Sequence, residues 1–168
     1  DVHTHHRYRM ALDQIPNTGR EIRYKIMRNI GNAFVRLGQF QDAIASFEQI
    51  MDGSPDLQTG FNLALCHYAS GDRNRMKKAF SSLLSVRELG MEDEEALESE
   101  LDDVLNEDGL KDQLRAKQRE GTKYISTAAK LLAPVIEQFN DGSPDVVAGF
   151  SWVGDMLRAQ SHQVFPSC

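Results

Sequence analysis

Residues 24–56 read YKIMRNIGNAFVRLGQFQDAIASFEQIMDGSPD, and this stretch decides the fold. Apolar side chains fall at Ile26, Met27, Ile30, Ala33, Phe34 and Leu37, in steps of three and four that trace one stripe along a helix. Gly38 interrupts the stripe. It resumes at Phe40, Ala43, Ile44, Phe47, Ile50 and Met51 and stops at Asp52-Gly53-Ser54-Pro55. The pattern predicts a helix, a tight turn, a second helix and a stop that bears a proline. Gly31 and Ala43 are small, one on each helix, where close helix–helix approach requires it.

From Gln58 the scheme returns. Phe61 follows Met27 by 34 residues and Tyr68 follows Phe34 by 34, whereas Gly71 follows Gly38 by 33 and Phe80 follows Phe47 by 33. A period near 34 built of two helices is the tetratricopeptide signature. Its W-x2-L-G-x2-Y…A-x3-F…P pattern is met by Met27, Ile30, Gly31, Phe34, Ala43, Phe47 and Pro55. The second copy is weaker, with Phe61, Ala64, Leu65, Tyr68, Met76 and Phe80. Residues 48–63 and 137–152 also agree at nine of sixteen positions, EQIMDGSPDLQTGFNL against EQFNDGSPDVVAGFSW. The expected architecture is therefore an all-α tetratricopeptide-repeat solenoid, antiparallel helix pairs stacked in a right-handed superhelix. Its core is expected to hold Met27, Ile30, Phe34, Phe47, Phe61, Tyr68 and Phe80.

The expected divisions follow. Residues 7–16 form the second helix of a preceding repeat, 24–57 and 58–90 two repeats, and 91–109 an acidic insertion. Residues 110–143 form a long helix kinked near Pro134, because proline removes a backbone donor and crowds the preceding turn. The charged half of that helix, 111–120, lacks a wide apolar face and is expected to project into solvent or toward a partner. Residues 146–160 open a further repeat as its first helix. An array this short, beginning at Asp1 without methionine, reads as an excerpt of a longer chain.

Charge is concentrated in the insertion. Of the 168 residues, 92–108 carry ten acids and no base, whereas 1–91 hold 12 bases against 9 acids and 109–168 hold 7 against 6. The formal −6 thus describes one segment and not the solenoid. No basic nucleic-acid face emerges, and no apolar run approaches the roughly 18–20 residues that cross a bilayer. Cys66 and Cys168 make no disulfide framework or zinc pattern, which suits a reducing compartment.

No candidate supplies catalytic chemistry. The acidic segment fails as an EF-hand, since counting from Gly109 puts Val104 at the first ligand position and Arg115 at the last. Its Leu97, Leu101, Val104 and Leu105 fit a short amphipathic helix. His3, His5 and His6 lack a fourth ligand. His67 beside Cys66 is expected to pack within its helix, and phosphate loops and nucleophile elbows are absent. The reading is of no enzyme, no cofactor and no metal. The candidate partner-binding residues are Lys25, Arg28, Asn32 and Arg36, which share one side of the first helix.

Two resemblances bear on function. Arg28 and Asn32 resemble the first-helix contribution of carboxylate-clamp co-chaperones, which would make the chain a peptide-binding adaptor. That pattern fails where Leu63 replaces an asparagine and where Ala148 and Trp152 replace basic residues. The second is more specific. YRMALDQIP, IRYKIMRNIGNAFVRLGQFQDAIASFEQIM, TGFNLALCHYASGDRNRMKKAF and KYISTAAKLLAPVIE, in that order around an acidic interruption, resemble the polaris family, the large tetratricopeptide-repeat subunits of intraflagellar transport complex B. That resemblance implies a structural scaffold in cilium or flagellum assembly and anterograde transport. It implies other complex-B core subunits as partners, with kinesin-2 indirectly. It implies residence in the cilium, basal body and cytoplasm, without nucleic acid or membrane insertion.

Overall fold

A computed structural model describes residue 10, residues 19–86 and residues 108–163, the side chains at 108–111, 114 and 160–163 excepted. Among them the chain is helical apart from turns and one isolated bridge between Gln138 and Pro144. Helix α1 spans Arg20–Arg36, α2 Phe40–Gly53, α3 Leu57–Ala69, α4 residues 73–86, α5 Asp108–Leu132 and α6 Val146–Gln163. The fold is the all-helical, tetratricopeptide-type arrangement expected. Helix α1 packs on α2, α2 on α3 and α3 on α5. No described helix is long and apolar enough to cross a membrane.

The two repeat turns are built alike. After α1, Gly38 takes φ +72°, its N–H donates to the Val35 carbonyl at 3.0 Å, and Gln39 N–H donates to the Phe34 carbonyl at 2.9 Å. After α3, Gly71 takes φ +70°, its N–H donates to Tyr68, and Asp72 N–H donates to the His67 carbonyl at 3.2 Å. This is the Schellman stop, whose left-handed residue glycine adopts without a Cβ penalty. The paired carbonyls make His67 the counterpart of Phe34, and the offset is 33 along both helices. Met27, Ile30, Gly31 and Phe34 are buried in α1, as are Gly60, Leu63, Ala64 and His67 in α3.

That frame corrects the expected core. Tyr68 is 41 % exposed, one residue past the inward position that His67 fills at 3 % exposure. Phe61 is half-buried at the edge, its ring 5.2 Å from that of Tyr124 on α5. The remaining expected core residues are buried, with Phe47 and Phe80 at 0 % exposure. The smallness of Gly31 has a direct cause, since a Cβ there would lie 2.5 Å from Cε1 of Phe47.

Past the insertion the structure departs further from expectation. Helix α5 lies parallel to α3, Gly121 meeting Leu57 and Tyr124 meeting Phe61. It ends at Leu132 instead of kinking and running to 143. Pro134 has no N–H to give the Lys130 carbonyl, and Val135 and Ile136 both turn back to the Leu132 carbonyl, each at 3.0 Å. Residues 133–145 then form a loop closed by Phe139 N–H to Ser143 and Asp145 N–H to Glu137. So EQFNDG is a loop where EQIMDG is helical, although the two stretches share most of their sequence.

Helix α6 packs against α4. The Trp152 ring packs tilted against that of Phe80 on α4, centroids 6.0 Å apart, and the Lys77 ammonium lies 5.5 Å from the Trp152 ring. Lys77 also pairs with Glu137, and Arg73 Nε donates to the Val135 carbonyl at 2.8 Å. Residues 146–160 therefore stand beside α4, the second helix of the preceding repeat, and α3 likewise packs on α2. Residues 7–16, except Met10, and residues 91–107 lie outside the described residues, as do the apolar positions at 97–105.

Candidate functional site

The face of α1 singled out in the sequence is divided by the fold. Lys25 and Arg36 are exposed, whereas Arg28 and Asn32 are half-buried and occupied by the next repeat. Asp56 caps α3, its Oδ1 accepting the Thr59 N–H at 2.9 Å, which satisfies one of the orphan donors of a helix start. Its Oδ2 accepts the Thr59 hydroxyl at 2.7 Å and Arg28 Nη2 at 2.6 Å. Arg28 Nε donates to Thr59 Oγ1 at 3.1 Å, so the hydroxyl both gives and accepts inside the joint. One turn further along, Asn62 Nδ2 donates to Asn32 Oδ1 at 2.9 Å.

This joint has a consequence for peptide binding. The Arg28 guanidinium already holds a carboxylate, that of Asp56, and Leu63 of α3 is buried at 6 % exposure. The arrangement ties one repeat to the next and presents no open carboxylate clamp. The sequence reading missed Asp56, Thr59 and Asn62. The available signal was the Ser-Pro-Asp-x-x-Thr spacing, in which Asp precedes an amide donor by three residues. Asp145 repeats that geometry, accepting the Ala148 N–H at 2.9 Å.

A groove of about 410 Å³ lies between α2, α3 and α4. Glu48 and Asp52 line one side, Arg75 and Lys78 the other, with Met51, Leu63, His67, Ala79 and Ser82 between them. The His67 ring has no hydrogen-bond partner among the described residues. Burial lowers its pKa, with Glu48 and Asp72 opposing and Arg75 adding to the effect. It stands where the first repeat has Phe34, so packing explains its place. Burial pushes the adjacent Cys66 thiol up to about 11, leaving the thiol protonated and unreactive near neutrality.

Among the described residues no group of three histidine, cysteine, aspartate or glutamate side chains could hold a metal ion. His3, His5 and His6 lie outside those residues. Nor do the described residues assemble a constellation of nucleophile, base and orienting group. What the described surface offers is repeat joints and helix faces.

No protein-family model matches the chain, and no solved structure does. Among characterised proteins, the Intraflagellar transport protein 88 homolog of Homo sapiens is 43 % identical over 164 residues. The match takes in 92 % of this chain and 19 % of that protein, so the chain spans about one fifth of the length of the relative it matches. The likeness read from the ordered sequence stretches is borne out. The chain corresponds to a segment of a protein of this kind.

Proposed function

We propose that this chain is a segment of an intraflagellar transport subunit and acts as a non-catalytic helical scaffold in building cilia or flagella. The observation that carries the reading is the 43 % identity running along 92 % of the chain. A shared repeat pattern alone would align the helices, whereas this match also extends through α5 and the loop after it. The finer reading assigns the subunit to complex B, with other core subunits as direct partners and kinesin-2 reached through them. Its place would be the cilium or flagellum, the basal body and the cytoplasm.

The physical role follows from the joints. Arg28–Asp56 and Asn32–Asn62 hold one repeat on the next, and Arg73, Lys77 and Trp152 hold α6 and its loop on α4. A solenoid fixed in this way keeps helix faces at set spacing, and repeat proteins use such extended surfaces for binding. Lys25 and Arg36 remain the exposed members of the α1 stripe and belong to the proposed partner surface; Arg28 and Asn32 support it from within the joint.

Affinity capture of the tagged full-length subunit from ciliated cells tests the proposal, using variants inside this segment. Intraflagellar transport subunits are expected to co-purify and to be depleted by variants that unfold it. Recovery of chaperones in their place, through free carboxyl-terminal peptides, would overturn the reading in favour of a co-chaperone.

A further inference from the structure

We propose that Ser143 is a phosphorylation site for a proline-directed protein kinase, and that its phosphate opens the loop of residues 133–145. The pentapeptide Asp-Gly-Ser-Pro-Asp occurs twice, at 52–56 and at 141–145, and each copy carries the Ser-Pro pair that such kinases select. Proline has no N–H, so it suits a kinase pocket that asks for no hydrogen bond from the residue after the serine. Sequence does not separate Ser54 from Ser143. Their surroundings do.

Ser54 sits in a repeat joint. Helix α2 runs to Gly53, the Ser54 N–H donates to the Ile50 carbonyl at 2.7 Å, and α3 begins at Leu57. Gly53 lies against the Tyr24 hydroxyl with no room for a Cβ, and Asp56 caps α3 while holding Arg28. A kinase binds the residues around its acceptor serine as an extended strand. Reaching Ser54 therefore means unwinding the last turn of α2 and breaking the joint.

Ser143 lies in the open loop. Residues 138–144 are exposed without interruption, and the bridge of Pro144 with Gln138 gives the Ser-Pro pair a strand-like course already. The loop ties itself back through Phe139 N–H to the Ser143 carbonyl at 2.9 Å, Gly142 N–H to the Phe139 carbonyl at 3.0 Å and Gln138 Nε2 to the Gly142 carbonyl at 2.6 Å. These bonds join exposed residues, and opening them uncovers no core side chain. Local opening of this kind costs far less than unfolding a helix joint.

In the transfer, Ser143 Oγ bonds to the γ-phosphorus of ATP and the bond from that phosphorus to the β-phosphate oxygen breaks. The hydroxyl proton passes to the catalytic aspartate of the kinase, and ADP leaves. Asp141 feels the change first. Its Oδ1 accepts the Ser143 hydroxyl at 2.6 Å and the Ser143 N–H at 2.9 Å, and these bonds hold its carboxyl below the ordinary pKa. A phosphorylated Oγ has no proton to give, and its dianion faces Asp141 with Asp145 following. The amino terminus of α6 attracts anions only near its first turn, where Asp145 already accepts the Ala148 N–H. The net push is outward. It strains the segment that carries Glu137 to Lys77 and the Val135 carbonyl to Arg73, two of the ties holding α6 and its loop on α4. The site depends on this loop and not on the proposed scaffold role.

Incubating the folded full chain with ATP and a purified mitogen-activated protein kinase, with sites mapped by tandem mass spectrometry, tests it. Ser143 should be labelled about tenfold or more faster than Ser54, the ratio set by the difference in local opening. Synthetic peptides of residues 48–60 and 137–149 should be labelled at similar rates, since neither keeps its surroundings. Pro144→Ala should abolish most labelling of Ser143, and circular dichroism checks that this variant stays folded. The phosphorylated chain should show a lower urea midpoint by Trp152 fluorescence than the unmodified chain. No labelling of Ser143, equal labelling of Ser54 in the folded chain, or undiminished labelling of Pro144→Ala would overturn the site. A midpoint at or above that of the unmodified chain would overturn the opening of the loop.

Discussion

Gly149 on α6 offers a sharp test of how the end of the array is held. An added Cβ would overlap the Ala133 carbonyl oxygen and lie 3.0 Å from its carbon, both backbone atoms closing α5. Neither can turn aside as a flexible side chain would, so α6 must shift. Five residues on in the same helix, a Cβ at Gly154 would meet nothing nearer than an Arg158 nitrogen at 3.8 Å. Alanine in place of glycine favours a helix by about 1 kcal/mol at either site. At Gly149 this gain is set against overpacking of roughly 1–3 kcal/mol. Partial loss of the buried Val153 contact adds to that, full burial of such a side chain being worth about 1.5–3 kcal/mol.

Gly149→Ala should therefore lose about 2 kcal/mol net, a fall in melting temperature of roughly 4–8 °C, while Gly154→Ala should gain up to about 1 kcal/mol. Trp152 is the single tryptophan and sits against Phe80, so its fluorescence during urea unfolding reports whether α6 stays docked. A Gly149→Ala protein with an unfolding midpoint at or above the parent's would refute the close approach.

Other expectations follow from the joints and the buried groups. Asp56→Ala removes both a helix cap and the anion beside Arg28, and should cost about 2 kcal/mol. A double-mutant cycle with Arg28→Ala should return a coupling of about 1 kcal/mol, and additive effects would dissolve the joint. Burial lowers the His67 pKa from its ordinary 6.5, so below that pH the unfolded chain takes up a proton that the folded chain refuses. Stability should accordingly fall as pH drops through about 6.5, and His67→Phe, matching Phe34, should remove that part of the slope in urea titrations at several pH values. Cys66, buried with its pKa near 11, should resist maleimide labelling in native Cys168→Ser protein and react on unfolding. Labelling at equal rates in both states would contradict its burial.

Much of the fold was legible because helical periodicity and turn glycines are local signals. The stripe from Met27 to Phe34 and that from Ala43 to Ile50 mark buried faces, and Gly38 and Gly71 mark the stops. The candidate site was legible only in part. Lys25, Arg28, Asn32 and Arg36 share a side of α1 in any helix, yet which of them stays open depends on where Asp56 and Asn62 arrive from the next repeat. No pattern within α1 carries that information.

The sequence by itself determined that the chain is a run of paired helices, where its repeat turns fall, and which relative it resembles. The tertiary structure decided the frame of the second repeat. Aromatic Tyr68 looked like the partner of Phe34, but the hydrogen bonds of the Gly71 stop rotate His67 inward and leave Tyr68 at the surface. It also decided the fate of a nearly repeated sequence. EQIMDG continues a helix because Ile50 is buried against the core, whereas EQFNDG follows Pro134, which withholds a backbone donor, and leaves Phe139 56 % exposed in a loop. Four of the six residues are the same on paper, but the hydrogen bonds and the buried surface available at each place are not.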